Sequence, residues 1–273
     1  MRPSEESVGK EKKKKAGTAR SRRRMKRSLL ILGAVLFAVF LAGAFAYVRF
    51  EKQHGGRHAP VYLPFEASES MAVSCPELIP EFSGDDVAVL NHGTPLFTLH
   101  DLHTVTGENY SELDLLGRCG PATALLCREM MPKEERGYIG SVEPTGWNQA
   151  KYPGLVDSDP PYLYNRCHLI SYALTGQNDN EKNLITGTRY MNAGPMLTYE
   201  ILVMQYIEKT GNRVLYRVTP YFKDRELLAR GVEMEAYSVE DEGKGLSFHV
   251  FVYNRQPGVK IDYATGENRP ENK

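Results

Sequence analysis

The chain has 273 residues, 41% hydrophobic and 25% charged, with 34 Lys/Arg against 34 Asp/Glu. That balance excludes a collagen, a low-complexity chain, a multi-span membrane protein and a disulfide-dense miniprotein. The zero net charge hides a split: residues 1–27 hold 12 Lys/Arg against 3 Asp/Glu, which leaves 22 against 31 for the rest, a net of −9.

In chain order, residues 1–28 form a basic tail. Leu29 to Val48 follow as 20 residues without a charge. That length matches the roughly 30 Å hydrocarbon core of a bilayer, so residues 29–50 are expected to be one N-terminal transmembrane helix. Positive flanks stay cytoplasmic, which puts the rest of the chain outside the cell. Two outcomes stay open: a signal anchor leaving a single-pass protein, or release of the body after cleavage near Ala44-Phe45-Ala46. Residues 51–71 read as a polar linker, 72–266 as the globular domain and 267–273 as a tail; the last ten residues are expected to fray.

Inside the domain, Asp86–Leu90 reads as a strand. Pro121 and the run that follows it to Met130 read as a helix. Tyr138–Val142 and Leu163–Ile170 read as short strands. Pro195–Lys209 is the clearest helix, with Pro at its start and Gly211 just past its end. Arg213–Tyr221, Gly231–Val239 and Leu246–Tyr253 read as three alternating strands, with a turn at 240–245 between the last two. The expected class is α+β, an antiparallel sheet with packed helices. His249 is expected to point outward from the last strand, His100 and His103 to be exposed, and Trp147 to pack at a sheet edge. Cys75, Cys119, Cys127 and Cys167 lack the C-x-x-C spacing of a zinc site; an exported domain permits disulfides in any of three pairings, and the leading reading is buried or unpaired thiols.

The chemistry concentrates after residue 160. His168 ends a predicted strand next to Arg166. Asn183 and Asn192 follow, with Arg189 between them, and Glu200 lies in the next helix. A histidine near neutral pKa takes a proton from water. Arginine holds phosphate bidentately. Asparagine offers a neutral oxygen to a hard cation. Those types together suit metal-assisted phosphodiester hydrolysis.

Five segments in order carry a resemblance: GRCGPA (117–122), RGYIGSVEPTGW (136–147), YLYNRCHLISYALTG (162–176), NEKNLITGTRYMN (180–192) and VFVYNRQPGVKIDYATG (250–266). They resemble the DNA/RNA non-specific endonucleases of the ββα-metal, His-Me finger type, and within them the membrane-anchored nucleases of DNA uptake. The family signature Asp-Arg-Gly-His stands here as Asn165-Arg166-Cys167-His168. The resemblance implies a ββα-metal catalytic core that cuts DNA and RNA. It makes His168 the general base and Asn192 the direct ligand of magnesium, with manganese as a substitute. It makes Asn183 a second catalytic asparagine, Glu200 a carboxylate near the metal's waters, and Arg166 the phosphate holder. Arg136, Arg189 and Lys151 are further substrate-binding residues. The changes at 165 and 167 imply altered hydrogen bonding near the site and a stiffened turn. The Asn165 difference also motivates a second reading, a catalytically inactive surface protein that binds nucleic acid in DNA uptake. A structural surface domain is the third.

Overall fold

The computed structural model describes residues 79–271. The basic tail, the predicted membrane segment 29–50, most of the domain's first residues and Cys75 lie outside the described residues. Among the described residues, no helix is long and apolar enough to cross a membrane.

The described chain opens with β1 (Val87–Val89), α1 (Leu99–Thr104), β2 (Glu108–Tyr110) and β3 (Ala122–Leu126). A long irregular segment then leads to β4 (Tyr164–His168), the short α2 (Tyr172–Thr175), β5 (Leu184–Thr188), α3 (Arg189–Ala193) and α4 (Pro195–Thr210). It finishes with β6 (Val214–Tyr221), β7 (Gly231–Ser238), β8 (Ser247–Tyr253), β9 (Val259–Ile261) and β10 (Asn268–Pro270). Six strands form one antiparallel sheet in the order β1-β8-β7-β6-β3-β2, while β4–β5 and β9–β10 pair separately. The expected α+β class with an antiparallel sheet is what the chain builds.

Three expected strands are β6, β7 and β8, and the predicted long helix is α4. Its start and stop follow local rules. Pro195 occupies the first turn, where its missing N–H costs nothing. Gly211 adopts φ 73° and returns its N–H to the Ile207 carbonyl, closing the helix in the left-handed cap that glycine favours. Met196, Val203 and Ile207 are fully buried on one side. They join Val232, Met234 and Ala236 of β7 and Cys167 and Leu169 of the β4 region in one apolar core. Each such side chain contributes about 1.5–3 kcal/mol on burial.

Four expectations fail. Residues 122–126 are a strand, not a helix. Ala122, Ala124 and Leu126 are fully buried while Thr123 and Leu125 are not, a period of two. The strand sits between β2 and β6, so ladder pairing on both sides overrides the helix propensity of Ala and Leu. Tyr138–Val142 is loop rather than strand, with no strand partner. Residues 264–271 are not frayed: β10 pairs with β9, and the Tyr164 hydroxyl donates to the Gly266 carbonyl at 2.8 Å. His249 points inward.

That last reversal exposes the sheet's second face. Alternation puts Val232, Met234 and Ala236 toward α4, so Glu233 and Glu235 face the other way. They are nonetheless 3% and 2% exposed, because the segment 90–98 covers them. Glu235 pairs with Arg217 at 2.7 Å and accepts from the Leu96 N–H. Arg217 lies over the Phe97 ring. The His249 ring meets the Thr94 carbonyl at 3.1 Å and the Glu233 carboxylate at 2.5 Å. Buried charge is tolerated here because each group has a partner. Truncating His249 to Ala leaves Glu233 buried without one. The expected cost is about 3–5 kcal/mol in urea denaturation, and a loss below about 1 kcal/mol would show that the pair does not brace this face.

Candidate active site

The site stands on the β4–β5 hairpin. Alternation along β4 turns Arg166 and His168 to one face and Asn165 and Cys167 to the other. Cys167 is completely buried against Met196, and a Cβ on Gly187 of the facing strand would come within 2.6 Å of the Cys167 Cβ. Position 167 lies in regular strand, so no turn there is stiffened. The thiol occupies the room that Gly187 leaves. Asn165 pairs by backbone with Gly187, and its side chain has no hydrogen-bond partner among the described residues. Lying on the opposite face from His168, it takes no hydrogen bond away from the ring. The Asp-to-Asn difference therefore gives no support to an inactive protein.

His168 is 6% exposed. Its Nε2 lies 2.8 Å from the Asn178 carbonyl, which accepts only, so the proton sits on Nε2. Nδ1 then carries the lone pair and accepts from the Arg136 guanidinium at 3.3 Å. Burial drives the His168 pKa down to about 4, the Asn178 carbonyl opposing and the Arg136 charge assisting. The ring is a neutral base in one tautomer across the physiological range.

Asn183, fully buried, clamps the chain just beyond. Its Oδ1 accepts from the Ile170 N–H at 2.8 Å and its Nδ2 donates to the Ile170 carbonyl at 2.9 Å. With both amide atoms used, Asn183 is a positioning residue that holds the exit of β4. Arg166 is similarly occupied. Its guanidinium donates to the Val142 and Gly140 carbonyls and stacks on Trp147 at 4.4 Å, so it fastens the 136–147 loop instead of facing open solvent. Its contacts do not support the role of phosphate holder. Trp147 packs beside Tyr164 in the second apolar cluster, as expected.

Glu200 lies in the second turn of α4. Burial raises its pKa to about 8, with Arg136 the opposing positive charge. Its carboxyl has no hydrogen bond among the described residues. Asn192 lies in α3, which packs on both strands of the hairpin, and its amide is likewise unpartnered. The Tyr216 hydroxyl, which interacts electrostatically with Glu200, is buried and unpartnered too. These are hard oxygen donors with unmet hydrogen-bonding capacity, and they fit a hard divalent cation.

A second group, Glu233, Glu235 and His249, is also close enough to ligate an ion. Its atoms are already spent: both His249 nitrogens, both Glu235 oxygens and one Glu233 oxygen have partners. It reads as a brace. Of the remaining expected residues, Arg189 starts α3 with its Nε buried and unpartnered. Lys151 lies over the Tyr162 ring, with no contact to His168. His100 and His103 are exposed in α1. Asn178 and Tyr216 escaped sequence reasoning. The contribution of Asn178 to the base is a backbone carbonyl, which no side-chain pattern reveals.

A buried, tautomer-fixed histidine beside an arginine that also interacts with the Glu200 carboxylate, with the unpartnered Asn192 amide on the neighbouring helix, is the equipment of a metal-assisted phosphodiesterase. The sequence model described as DNA/RNA non-specific endonuclease matches residues 100–240, a span holding every site residue above. The chain belongs to that family and is a DNA/RNA non-specific endonuclease. Its structure is similar to NucA from Streptococcus agalactiae with magnesium ion bound, at 26% identity and a TM-score of 0.59 over 68% of this chain and 88% of that one. The same protein with no metal bound matches at a TM-score of 0.60 and 26% identity, over 72% and 92%. The Sda1 nuclease with bound zinc ion shares the fold at 24% identity and a TM-score of 0.59, over 68% and 96%.

The ring's burial has a measurable consequence. His168 holds its proton up to about pH 6.5 in the unfolded chain and only to about pH 4 in the folded one. Between those values the unfolded chain binds more protons. Stability is therefore full above pH 6.5 and falls as pH drops toward 4, by about 3 kcal/mol from this group. The raised Glu200 carboxyl opposes this slope over the same range but does so equally in both proteins, so urea denaturation from pH 4 to 7 should show stability rising with pH by about 3 kcal/mol more in the wild type than in His168→Asn; equal slopes would contradict a buried neutral ring.

Proposed function

We propose that the protein hydrolyses DNA and RNA outside the cell, without regard to sugar or sequence, using a divalent cation held by Asn192 and Glu200. The observation that carries this reading is the His168 ring, neutral and fixed in one tautomer between the Asn178 carbonyl and Arg136. His168 Nδ1 takes a proton from a water aligned with the scissile phosphorus. The hydrogen bond from Nε2 to Asn178 holds the ring in plane as it becomes charged. Arg136, already at the base, holds a phosphate oxygen. Asn183 keeps the backbone beyond His168 fixed. A bound divalent cation supplies charge stabilisation to the phosphate and the leaving 3′ oxygen. The leaving 3′ oxygen takes a proton from solvent water, so the products carry 5′-phosphate and 3′-hydroxyl ends.

Magnesium is the proposed ion, supported by the oxygen-only donors and by the magnesium-bound NucA structure; manganese suits the same donors. The zinc ion in Sda1 is consistent with a divalent site in this fold. The basic tail and the apolar run Leu29–Val48 support a single-pass anchor with the nuclease outside, or a released form after cleavage. The net −9 of the remaining chain means that DNA is gripped locally, so cleavage should be salt-sensitive.

Plasmid cleavage with magnesium and with EDTA tests the reading. Wild-type protein should cut only with metal. His168→Ala should lose about 10²- to 10⁴-fold in kcat with an unchanged circular dichroism spectrum. Asn192→Ala should need more magnesium for half-maximal rate. Full activity in His168→Ala would remove the base, and an unchanged metal titration in Asn192→Ala would remove the ligand.

A further inference from the structure

We propose that Tyr138 is a stacking platform for a nucleobase next to the scissile phosphate, so that the enzyme engages unstacked, single-stranded stretches more tightly than intact duplex. This rests on the nuclease reading of the His168 site. Tyr138 is 84% exposed, yet it belongs to a loop that is held firmly from below. Arg166 fastens the Gly140 and Val142 carbonyls, Asn178 donates to the Tyr138 carbonyl at 3.3 Å, and the Tyr172 hydroxyl donates to the Glu134 carbonyl at 3.0 Å.

The same loop carries Arg136, whose guanidinium touches the base. Asn178 therefore binds the His168 ring through its carbonyl and the Tyr138 backbone through its amide, tying the two positions together. The phenol ring lies over Gly140. A Cβ at 140 would come within 2.0 Å of the Tyr138 hydroxyl, so glycine there lets the ring lie close over the loop. The hydroxyl has no partner among the described residues, and no apolar cluster takes up the ring.

An exposed aromatic on a fastened loop offers contact area at little entropic cost. Stacking on such a ring contributes about 1–3 kcal/mol per base and tolerates every base, because each has a π-face. It also makes no use of the 2′ position. Those properties match a nuclease indifferent to sugar and sequence. Trp147, the other large aromatic of the loop, cannot serve, being covered by Arg166.

The test uses the full chain and a short single-stranded oligonucleotide carrying 2-aminopurine. Binding is read by fluorescence in the His168→Ala background with EDTA, and cleavage with magnesium in the wild-type background. Tyr138→Ala should weaken binding and raise KM by about 5- to 100-fold while kcat stays within about twofold. Tyr138→Trp should restore both. Unchanged binding and KM in Tyr138→Ala would overturn the proposal, as would a kcat loss that Tyr138→Trp does not rescue. If His168→Ala cleaves normally while binding still depends on Tyr138, the base assignment falls and the stacking platform stands.

Discussion

One hydrogen bond organises the catalytic side of this molecule: His168 Nε2 to the Asn178 carbonyl. A carbonyl accepts and never donates, so this contact decides where the imidazole proton resides and therefore which nitrogen is free to act. Everything nearby serves that geometry. The β4–β5 ladder delivers the ring, Asn183 pins the chain two residues later, and Arg166 holds the loop that brings Arg136 to the other nitrogen. Burial then keeps the ring neutral.

The six-stranded sheet supplies stiffness, and it does so with two unlike faces. One packs apolar side chains against α4 and the hairpin. The other buries Arg217, Glu235, Glu233 and His249 under the segment 90–98. The division keeps the charged network on the far side of the sheet from Glu200, the carboxylate whose pKa is raised by burial with only Arg136 opposing it. The departures from the family signature fit this plan. Cys167 fills the space facing Gly187 on the core side of the hairpin, and Asn165 lies on that same side, away from the ring.

The parts legible in the sequence were those fixed by local chemistry. Pro195 and Gly211 bracket α4, and alternation marks β6 to β8. The candidacy of His168, Asn192 and Glu200 rests on type and spacing together with the family resemblance. What escaped was decided by distant partners. Ala122–Leu126 has helix-forming residues, yet two neighbouring strands claim its backbone. Tyr138–Val142 has strand-like side chains but no ladder to join. His249 sits on the face that alternation assigns to solvent, and only the chain crossing from 90 to 98 changes that. Arg166 has the chemistry of a phosphate ligand, but its bonds go to two carbonyls that no motif predicts. The segment 264–271, rich in Asn, Pro and Glu, is held through β9 and the Tyr164 hydroxyl.

The contact between Arg136 and Nδ1 bears on how the proposed mechanism couples substrate and base. A water cannot give its proton to Nδ1 while the guanidinium fills that hydrogen bond. A phosphodiester is an anion with planar acceptor edges, a stronger partner for guanidinium than a neutral ring nitrogen. In the proposed mechanism, substrate in the site would draw Arg136 toward phosphate and open Nδ1 to water in the same movement. The arginine lies on an exposed loop anchored through Gly140, Val142 and Tyr138, so its side chain can exchange partners without the backbone giving way. In a chain whose body is acidic, that single exchange would place positive charge where the proposed mechanism puts the phosphate and would free the base there.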